Sequence, residues 1–168
     1  IPEINGDDIT NLQAPSLIAN PNCSTSQLLM AISPIHKEFV IDFLNVATYQ
    51  AVSGTGKQAV QELQNQIKDK TSKQEVYPKQ IAFNVIPQCD IFLDNDFTKE
   101  EMKLVWETKK ILDSSIEVQA TCVRVPVLNG HSEAVFFRTK KESSRIQIIE
   151  LLSKAPGIDV IDNPQSLE

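Results

Sequence analysis

Ile116-Glu117-Val118-Gln119-Ala120-Thr121-Cys122-Val123-Arg124-Val125-Pro126-Val127 is the strongest strand signal in the chain. A period of two sets its even positions, Ile116, Val118, Ala120, Cys122 and Arg124, on one face. Arg124 therefore points the way the apolar residues point. A guanidinium is effectively always charged, so on a buried face it must find a partner. Two partners suit it: a buried carboxylate in a structural ion pair, or the carboxylate of a substrate held by the guanidinium fork.

The flanking segments supply neighbours for this strand. Asn129-Gly130 makes a turn and residues 132–139 read as a second strand. Upstream, Thr98 and Glu101 have the capping-box spacing for a helix running to about Leu112, with Met102, Val105, Trp106 and Leu112 inward. Downstream, residues 144–155 read as an amphipathic helix ended by Pro156-Gly157, and residues 158–161 as a last short strand. Residues 39–52, rich in Phe, Val, Ile, Tyr and Thr, form a strand that closes on Ser53-Gly54-Thr55-Gly56. Residues 57–70 then place Ala59, Val60, Leu63 and Ile67 on one side of a helix, while residues 80–92, interrupted by Pro87, are strand or loop.

Nearer the start, residues 16–20 read as a short buried strand broken by Pro21. Ser24 and Gln27 then have the capping-box spacing, and Leu28, Leu29 and Ile32 follow at helical intervals until Pro34 stops the run. Cys23 sits at the lip of that helix. Residues 1–15, with Pro2, Gly6 and Pro15, form a connecting segment with at most a short strand. The expected fold class is α+β: a mixed β-sheet with helices packed on one face.

Composition limits the function. The 168 residues carry 16 Lys+Arg against 22 Asp+Glu, a formal net charge of −6. This argues against nucleic-acid and anionic-membrane partners, which need a basic footprint. A hydrophobic fraction of 41%, with nine Pro and five Gly, suits one compact globular domain. No apolar stretch approaches the roughly 20 residues of a membrane span. Cys23, Cys89 and Cys122 include no C-x-x-C pair, and with only His36 and His131 there is no zinc-like cluster. Reduced thiols in a cytoplasmic protein are expected, with no metal. Residue 1 is Ile and the first Met is Met30, so the chain is expected to begin inside a longer reading frame.

Few residues can carry chemistry. The thiol of Cys23, beside helix N–H groups and the positive end of a macrodipole, has its thiolate stabilised, and the thiolate is the nucleophile. The polar, turn-forming Asn20-Pro21-Asn22-Cys23-Ser24-Thr25 is a poor place for a core thiol, whereas Cys122 on its apolar face suits one. His131, after a glycine turn, could bring a base to a thiol, although a lone loop histidine is usually only solvated. Lys103, Glu107 and Lys110 share a helix face, which by spacing alone is a solvated salt ladder worth roughly 0.2 to 0.5 kcal/mol per pair. Ser53-Gly54-Thr55-Gly56-Lys57 is not a Walker phosphate loop, because Ala51 and Gln58 fail the pattern at both ends.

Taken together, several blocks resemble the aspartate-semialdehyde dehydrogenase family. They are Asn20-Pro21-Asn22-Cys23-Ser24-Thr25, Thr48-Tyr49-Gln50-Ala51-Val52-Ser53-Gly54, Glu107-Thr108-Lys109-Lys110-Ile111-Leu112, and Cys122-Val123-Arg124-Val125-Pro126 with Gly130-His131-Ser132-Glu133-Ala134. The blocks follow the family's order and cover residues 2–134. The resemblance implies an NADP-dependent enzyme that interconverts L-aspartyl 4-phosphate with L-aspartate 4-semialdehyde and phosphate, on the way to lysine, threonine, methionine and diaminopimelate. It implies that Cys23 forms a thioester and that His131 is the acid/base for the thiol and the oxygen of the thiohemiacetal. By the same resemblance Gln50 orients the intermediate, Arg124 and Glu107 hold the substrate's carboxylate and amino group, and Lys103 binds phosphate with Asn22. Lys110 is the rival phosphate lysine, and Ser53-Gly54 lies beside the nicotinamide nucleotide.

The resemblance also implies the fold of the C-terminal catalytic domain of the glyceraldehyde-3-phosphate dehydrogenase-like superfamily, and a homodimer or dimer of dimers. No G-x-G-x-x-G occurs in the chain. The expectation is therefore a connecting segment at 1–15 from a nucleotide-binding domain, and a catalytic and dimerisation domain at 16–168. Most of the NADP site is expected outside this chain, and the chain alone is expected to be inactive. Two rivals stand beside this reading: an N-acetyl-glutamyl-phosphate reductase-like enzyme, and a non-catalytic dimerisation module whose sheet makes the interface. The first is disfavoured by Ser24 after the cysteine and by Glu107, Arg124 and Tyr49-Gln50, which suit a substrate with a free amine.

Overall fold

The computed structural model describes every residue except Asn11, Ala14, Leu167 and Glu168. Asn11 and Ala14 belong to the expected connecting segment, and Leu167 and Glu168 to the end of the expected catalytic domain; all four lie outside the described residues. The elements are α1 (Pro2–Asn5), α2 (Cys23–Phe39), β1 (Ile41–Gln50), α3 (Lys57–Lys68), α4 (Lys99–Ile111), β2 (Glu117–Arg124), β3 (Ser132–Thr139) and α5 (Arg145–Leu152), with 3-10 turns at Gly6–Ile9 and Val52–Gly54.

The sheet has the order β2-β1-β3. The Asn45 amide reaches Gln119 at 3.5 Å and Val125 N–H donates to Gln50 O at 3.0 Å, so β1 and β2 advance together. Lys140 N–H donates to Val40 O at 2.9 Å and Lys141 N–H to Phe39 O at 3.1 Å, so β3 runs the other way. The sheet is mixed, as expected. The even positions of β2 are buried from Val118 to Arg124 and the odd ones are more open, and β1 repeats this at Leu44, Val46, Thr48 and Gln50. One face of β1 and β2 is covered, whereas β3 has no buried residue.

The chain divides into two interleaved compact units. The first comprises Ile1–Leu44, Trp106–Val118 and Phe137–Glu168, and the second Asn45–Val105 and Gln119–Phe136. In the first, α2 packs against α1 and α5 and buries Leu28, Leu29, Ile32, Ile35 and Phe39. In the second, Ala59 and Leu63 of α3 join Val52, Ile81, Ala82 and Ile86 in one apolar cluster.

Several expectations need correction. Pro34 does not stop α2, which continues to Phe39 and ends at Val40 in the left-handed region, φ 60°. An interior proline costs about 3 kcal/mol. Burial of Ile35 and Phe39 beyond it returns about 1.5–3 kcal/mol each. The cap of α2 is Asn22 rather than Ser24, which is buried in the first turn. Residues 16–20 form no strand, with Leu17 96% exposed, and residues 158–161 form none either. Of the two alternatives for residues 80–92, strand or loop, the loop holds, with isolated bridges from Ile86 to Arg124 and from Phe92 to Thr98.

Two helices depart in part from the expected faces. In α3 Ala59 and Leu63 are buried and Val60 packs against their cluster as expected, but Ile67 is exposed while Glu62 and Gln66 are buried. The Glu62 carboxylate accepts the N–H groups of Glu75 at 2.7 Å and Val76 at 2.6 Å, and Gln66 Oε1 accepts those of Ile81 and Ala82. Backbone donors of the following loop join apolar spacing in setting that face. In α4 the Thr98–Glu101 capping box is present, but Trp106 is 51% exposed and the buried positions are Glu100, Leu104 and Thr108.

Candidate active site

In the first unit, Cys23 is exposed and is the first residue of the 17-residue α2. Asn22 Oδ1 accepts the N–H groups of Ser24 at 2.9 Å and Thr25 at 3.2 Å, so the Asn22 side-chain oxygen is committed to the cap. Glu107 Oε2 accepts Asn22 N–H at 2.9 Å and fixes the turn that delivers the thiol. Sequence spacing had put Glu107 in a ladder with Lys103 and Lys110. That ladder is not formed: Glu107 takes a backbone donor, Lys103 pairs elsewhere, and Lys110 is exposed.

In the second unit, Arg124 ends β2 at 7% exposure. Its Nη1 donates to Ala51 O at 2.7 Å, and its Nε is buried without a hydrogen-bond partner. The acceptor is thus a backbone carbonyl rather than a carboxylate, and a buried guanidinium donor is left over. Such orphans are rare and costly. His131 lies on the same wall: its Nδ1 accepts Ala51 N–H at 3.0 Å. Burial, and secondly the charge of Arg124, hold its pKa below the usual histidine value, with Glu100 opposing weakly. Gly54 explains its own identity here. A Cβ at that position would stand 3.0 Å from His131 Cε1, 3.1 Å from His131 Nε2 and 3.2 Å from Arg124 Nη1.

Gln50 closes β1 at 1% exposure, and its Nε2 donates to Thr48 Oγ1 and to Glu100 Oε1, both at 3.2 Å. The other Glu100 oxygen accepts Lys103 Nζ at 3.2 Å, and Lys103 also reaches Asp90 Oδ2 at 3.1 Å. Burial disfavours the Lys103 charge, but its bonds to Asp90 and Glu100 outweigh that and raise its pKa. Glu100 was missed from sequence. Its i,i+3 spacing to Lys103 was visible, yet only the rotation of α4 places the carboxylate inside. Unit two therefore gathers Gln50, Glu100, Lys103, Arg124 and His131, with the exposed Ser53-Gly54 turn against His131 and Arg124.

The other thiols behave as core residues. Burial pushes Cys89 up to about 11 and Cys122 up to about 12. Among the described residues no group of three His, Cys, Asp or Glu is placed to hold a metal ion, and no helix is long and apolar enough to cross a membrane. For a nicotinamide nucleotide the fit is partial. The Ser53-Gly54 turn is exposed backbone that a ring could approach, but the open side of Gly54 is already filled by His131 and Arg124.

Comparison with known proteins identifies the family. The chain is 46% identical over 174 residues to aspartate-semialdehyde dehydrogenase of Aquifex aeolicus, covering 100% of this chain and 51% of that protein. It matches the crystal structure of Vibrio cholerae aspartate semialdehyde dehydrogenase II complexed with ASA at a TM-score of 0.90 and 46% identity, over 93% of this chain and 48% of that one. The Candida albicans enzyme with NADP matches at a TM-score of 0.60 and 26% identity, over 91% of this chain and 40% of that one. The chain spans about half the length of the curated relatives it matches. Residues 32–168 match the family described as semialdehyde dehydrogenase, dimerisation domain, and the chain belongs to that family.

Proposed function

We propose that this chain is the catalytic and dimerisation part of a cytoplasmic, NADP-dependent aspartate-semialdehyde dehydrogenase. The reaction is reductive dephosphorylation of L-aspartyl 4-phosphate to L-aspartate 4-semialdehyde through a thioester on Cys23, in lysine, threonine, methionine and diaminopimelate biosynthesis. The observation that carries the reading is the buried Arg124 with its unpaired Nε. It suits a planar carboxylate, such as an amino-acid substrate carries.

In the proposed acylation, the Cys23 sulfur attacks the acyl carbon, a C–S bond forms, the C–O bond to phosphate breaks and inorganic phosphate leaves. His131 attends the thiol proton and the acyl oxygen. Arg124 holds the substrate carboxylate, and Glu107 is retained for the ammonium. Glu100 is its rival, because it is a buried carboxylate already bonded to Gln50 and Lys103. Lys103 is preferred to Lys110 for phosphate for the same reason: it belongs to that network, whereas Lys110 is exposed. Asn22 and Gln50 complete the proposed contacts. NADPH, when bound, would supply a hydride; Ser53 and Gly54 are its proposed points of approach.

A second, compatible reading is a homodimer or dimer of dimers formed through the sheet, supported by the family description and by exposed Tyr49, Val135 and Phe136 on β1 and β3. The deciding experiment follows NADPH oxidation by the whole protein with L-aspartyl 4-phosphate and, separately, N-acetyl-glutamyl phosphate. Turnover with the first alone, lost in Cys23→Ser, is expected. Unaltered turnover in Cys23→Ser would leave only the dimerisation module, and preference for the second substrate would replace the reading by its rival.

A further inference from the structure

We propose that Tyr77 is a positioning residue: through its hydrogen bond to Thr55 it holds the turn at residues 53–56 closed against His131 and Arg124, and so keeps water from that wall. Every residue involved belongs to the second unit. The consequence for substrate binding rests on the functional reading above; the latch itself rests on geometry.

The turn is anchored at its start, where Val52 N–H donates to Val127 O at 2.9 Å and Ser53 N–H to Leu128 O at 3.2 Å. Beyond Ser53 its backbone bonds are local. Gly54 N–H donates to Ala51 O, Thr55 N–H to Val52 O and Gly56 N–H to Ser53 O, at 3.2, 3.0 and 3.0 Å. Gly56 follows at φ 115°, so the turn runs into α3 through the most pliant residue type. An exposed turn of that kind has little to hold its far end. Tyr77 supplies the hold: its hydroxyl donates to Thr55 Oγ1 at 2.8 Å.

Tyr77 is itself fixed from behind. Glu62 of α3 accepts the N–H groups of Glu75 and Val76 at 2.7 and 2.6 Å, and the half-buried Tyr77 packs on the apolar cluster around Val52, Leu63 and Ile81. Packing alone would accept phenylalanine. A phenol hydroxyl in that setting needs a partner. Burial raises the Tyr77 pKa, so the proton that it donates stays in place at neutral pH.

Gly54 approaches the wall so closely that a Cβ there would stand 3.0 Å from His131 Cε1 and 3.2 Å from Arg124 Nη1. Gly54 is exposed on its other side, so its backbone is a layer between solvent and these two groups. Excluding water strengthens the pull of a guanidinium on a carboxylate. Release of Thr55 lets the turn lift, hydrates both side chains and weakens the hold of Arg124 on the substrate. Arg124 of β2 and Glu100 of α4 are the charged groups that act on His131, and neither is altered by changes at Tyr77 or Thr55. A change in His131 titration therefore reports its hydration.

The test compares Tyr77→Phe, Thr55→Val, their double variant and Thr55→Ser, which retains the acceptor, in the whole protein. His131 is titrated by NMR of protein labelled at histidine Cε1, its signal identified by loss in His131→Gln. Its pKa is expected to rise toward the ordinary value of about 6.5 in Tyr77→Phe and Thr55→Val alike. It should rise no further in the double variant and keep the wild-type value in Thr55→Ser. KM for L-aspartyl 4-phosphate should rise about 2- to 10-fold in the three variants that lose the bond, with kcat nearly unchanged, the fold-change of one net hydrogen bond. An unmoved His131 titration overturns the latch, and so do shifts that add in the double variant. Wild-type KM beside a shifted titration refutes the effect on substrate. A shifted titration in a protein that does not turn over L-aspartyl 4-phosphate supports the latch and overturns the functional reading alone.

Discussion

Replacing Gly54 by Ala separates the site from the fold. Gly54 does not sit at positive φ and is exposed, so the backbone accepts an alanine. The new methyl, however, would meet His131 Cε1 at 3.0 Å, His131 Nε2 at 3.1 Å and Arg124 Nη1 at 3.2 Å, each inside ordinary van der Waals contact. The imidazole and guanidinium must each retreat by a few tenths of an ångström. That movement stretches the bonds that both make to Ala51. Exposed substitutions away from the core usually change stability by less than about 0.5 kcal/mol. Misplacing reacting groups by about 1 Å can cost about 100-fold in rate. A smaller shift shared by two groups is therefore expected to slow Cys23 acylation about 10- to 100-fold, or about 1.4 to 2.7 kcal/mol of barrier. Rapid-quench measurement of the acyl-enzyme and urea unfolding of the same variant are the assays. Wild-type acylation in Gly54→Ala would refute the positioning argument, and so would a rate loss matched by loss of the fold.

Three further outcomes are expected. Arg124→Lys keeps the charge but loses the planar fork, so kcat/KM should fall about 10- to 100-fold, mainly through KM, as measured in steady-state assays with the amino-acid substrate. His131 titrates lower in the folded chain than its unfolded value of about 6.5, so the unfolded state binds its proton first. Stability should thus be full above about pH 6.5 and decline as pH falls toward the folded value, a decline that urea titrations of His131→Gln should lack. Iodoacetamide at pH 8 should label Cys23 alone, because burial pushes Cys89 and Cys122 up to about 11 and 12, and peptide mapping would reveal any other order.

The sheet was the legible part, because period-two burial is written directly into β2: Val118, Ala120, Cys122 and Arg124 are buried as their spacing requires. So was the position of Cys23 at the start of α2, since a polar turn before an apolar helical run has few other uses. What the sequence hid was polar. Glu62 and Gln66 look like solvent-facing helix residues until the N–H groups of the following loop are seen to need them. Glu100 likewise reads as first-turn charge, and only the orientation of α4 joins it to Gln50 and Lys103. Pro34 misled because proline ends most helices, whereas here the apolar face on either side of it is buried. The resemblance to a family supplied what spacing did not, moving Lys103 from a presumed salt ladder to a candidate phosphate group.

The central claim is that Cys23 is the acylated nucleophile of an aspartyl-phosphate reductase. It is tested most directly by mass spectrometry of the whole protein after mixing with L-aspartyl 4-phosphate in the absence of NADPH. The account predicts one aspartyl group, removable by hydroxylamine and mapped to the peptide containing Cys23, with release of one equivalent of phosphate. An unmodified Cys23 in a protein that nonetheless turns over its substrate, or an acyl group mapped to another residue, would contradict it.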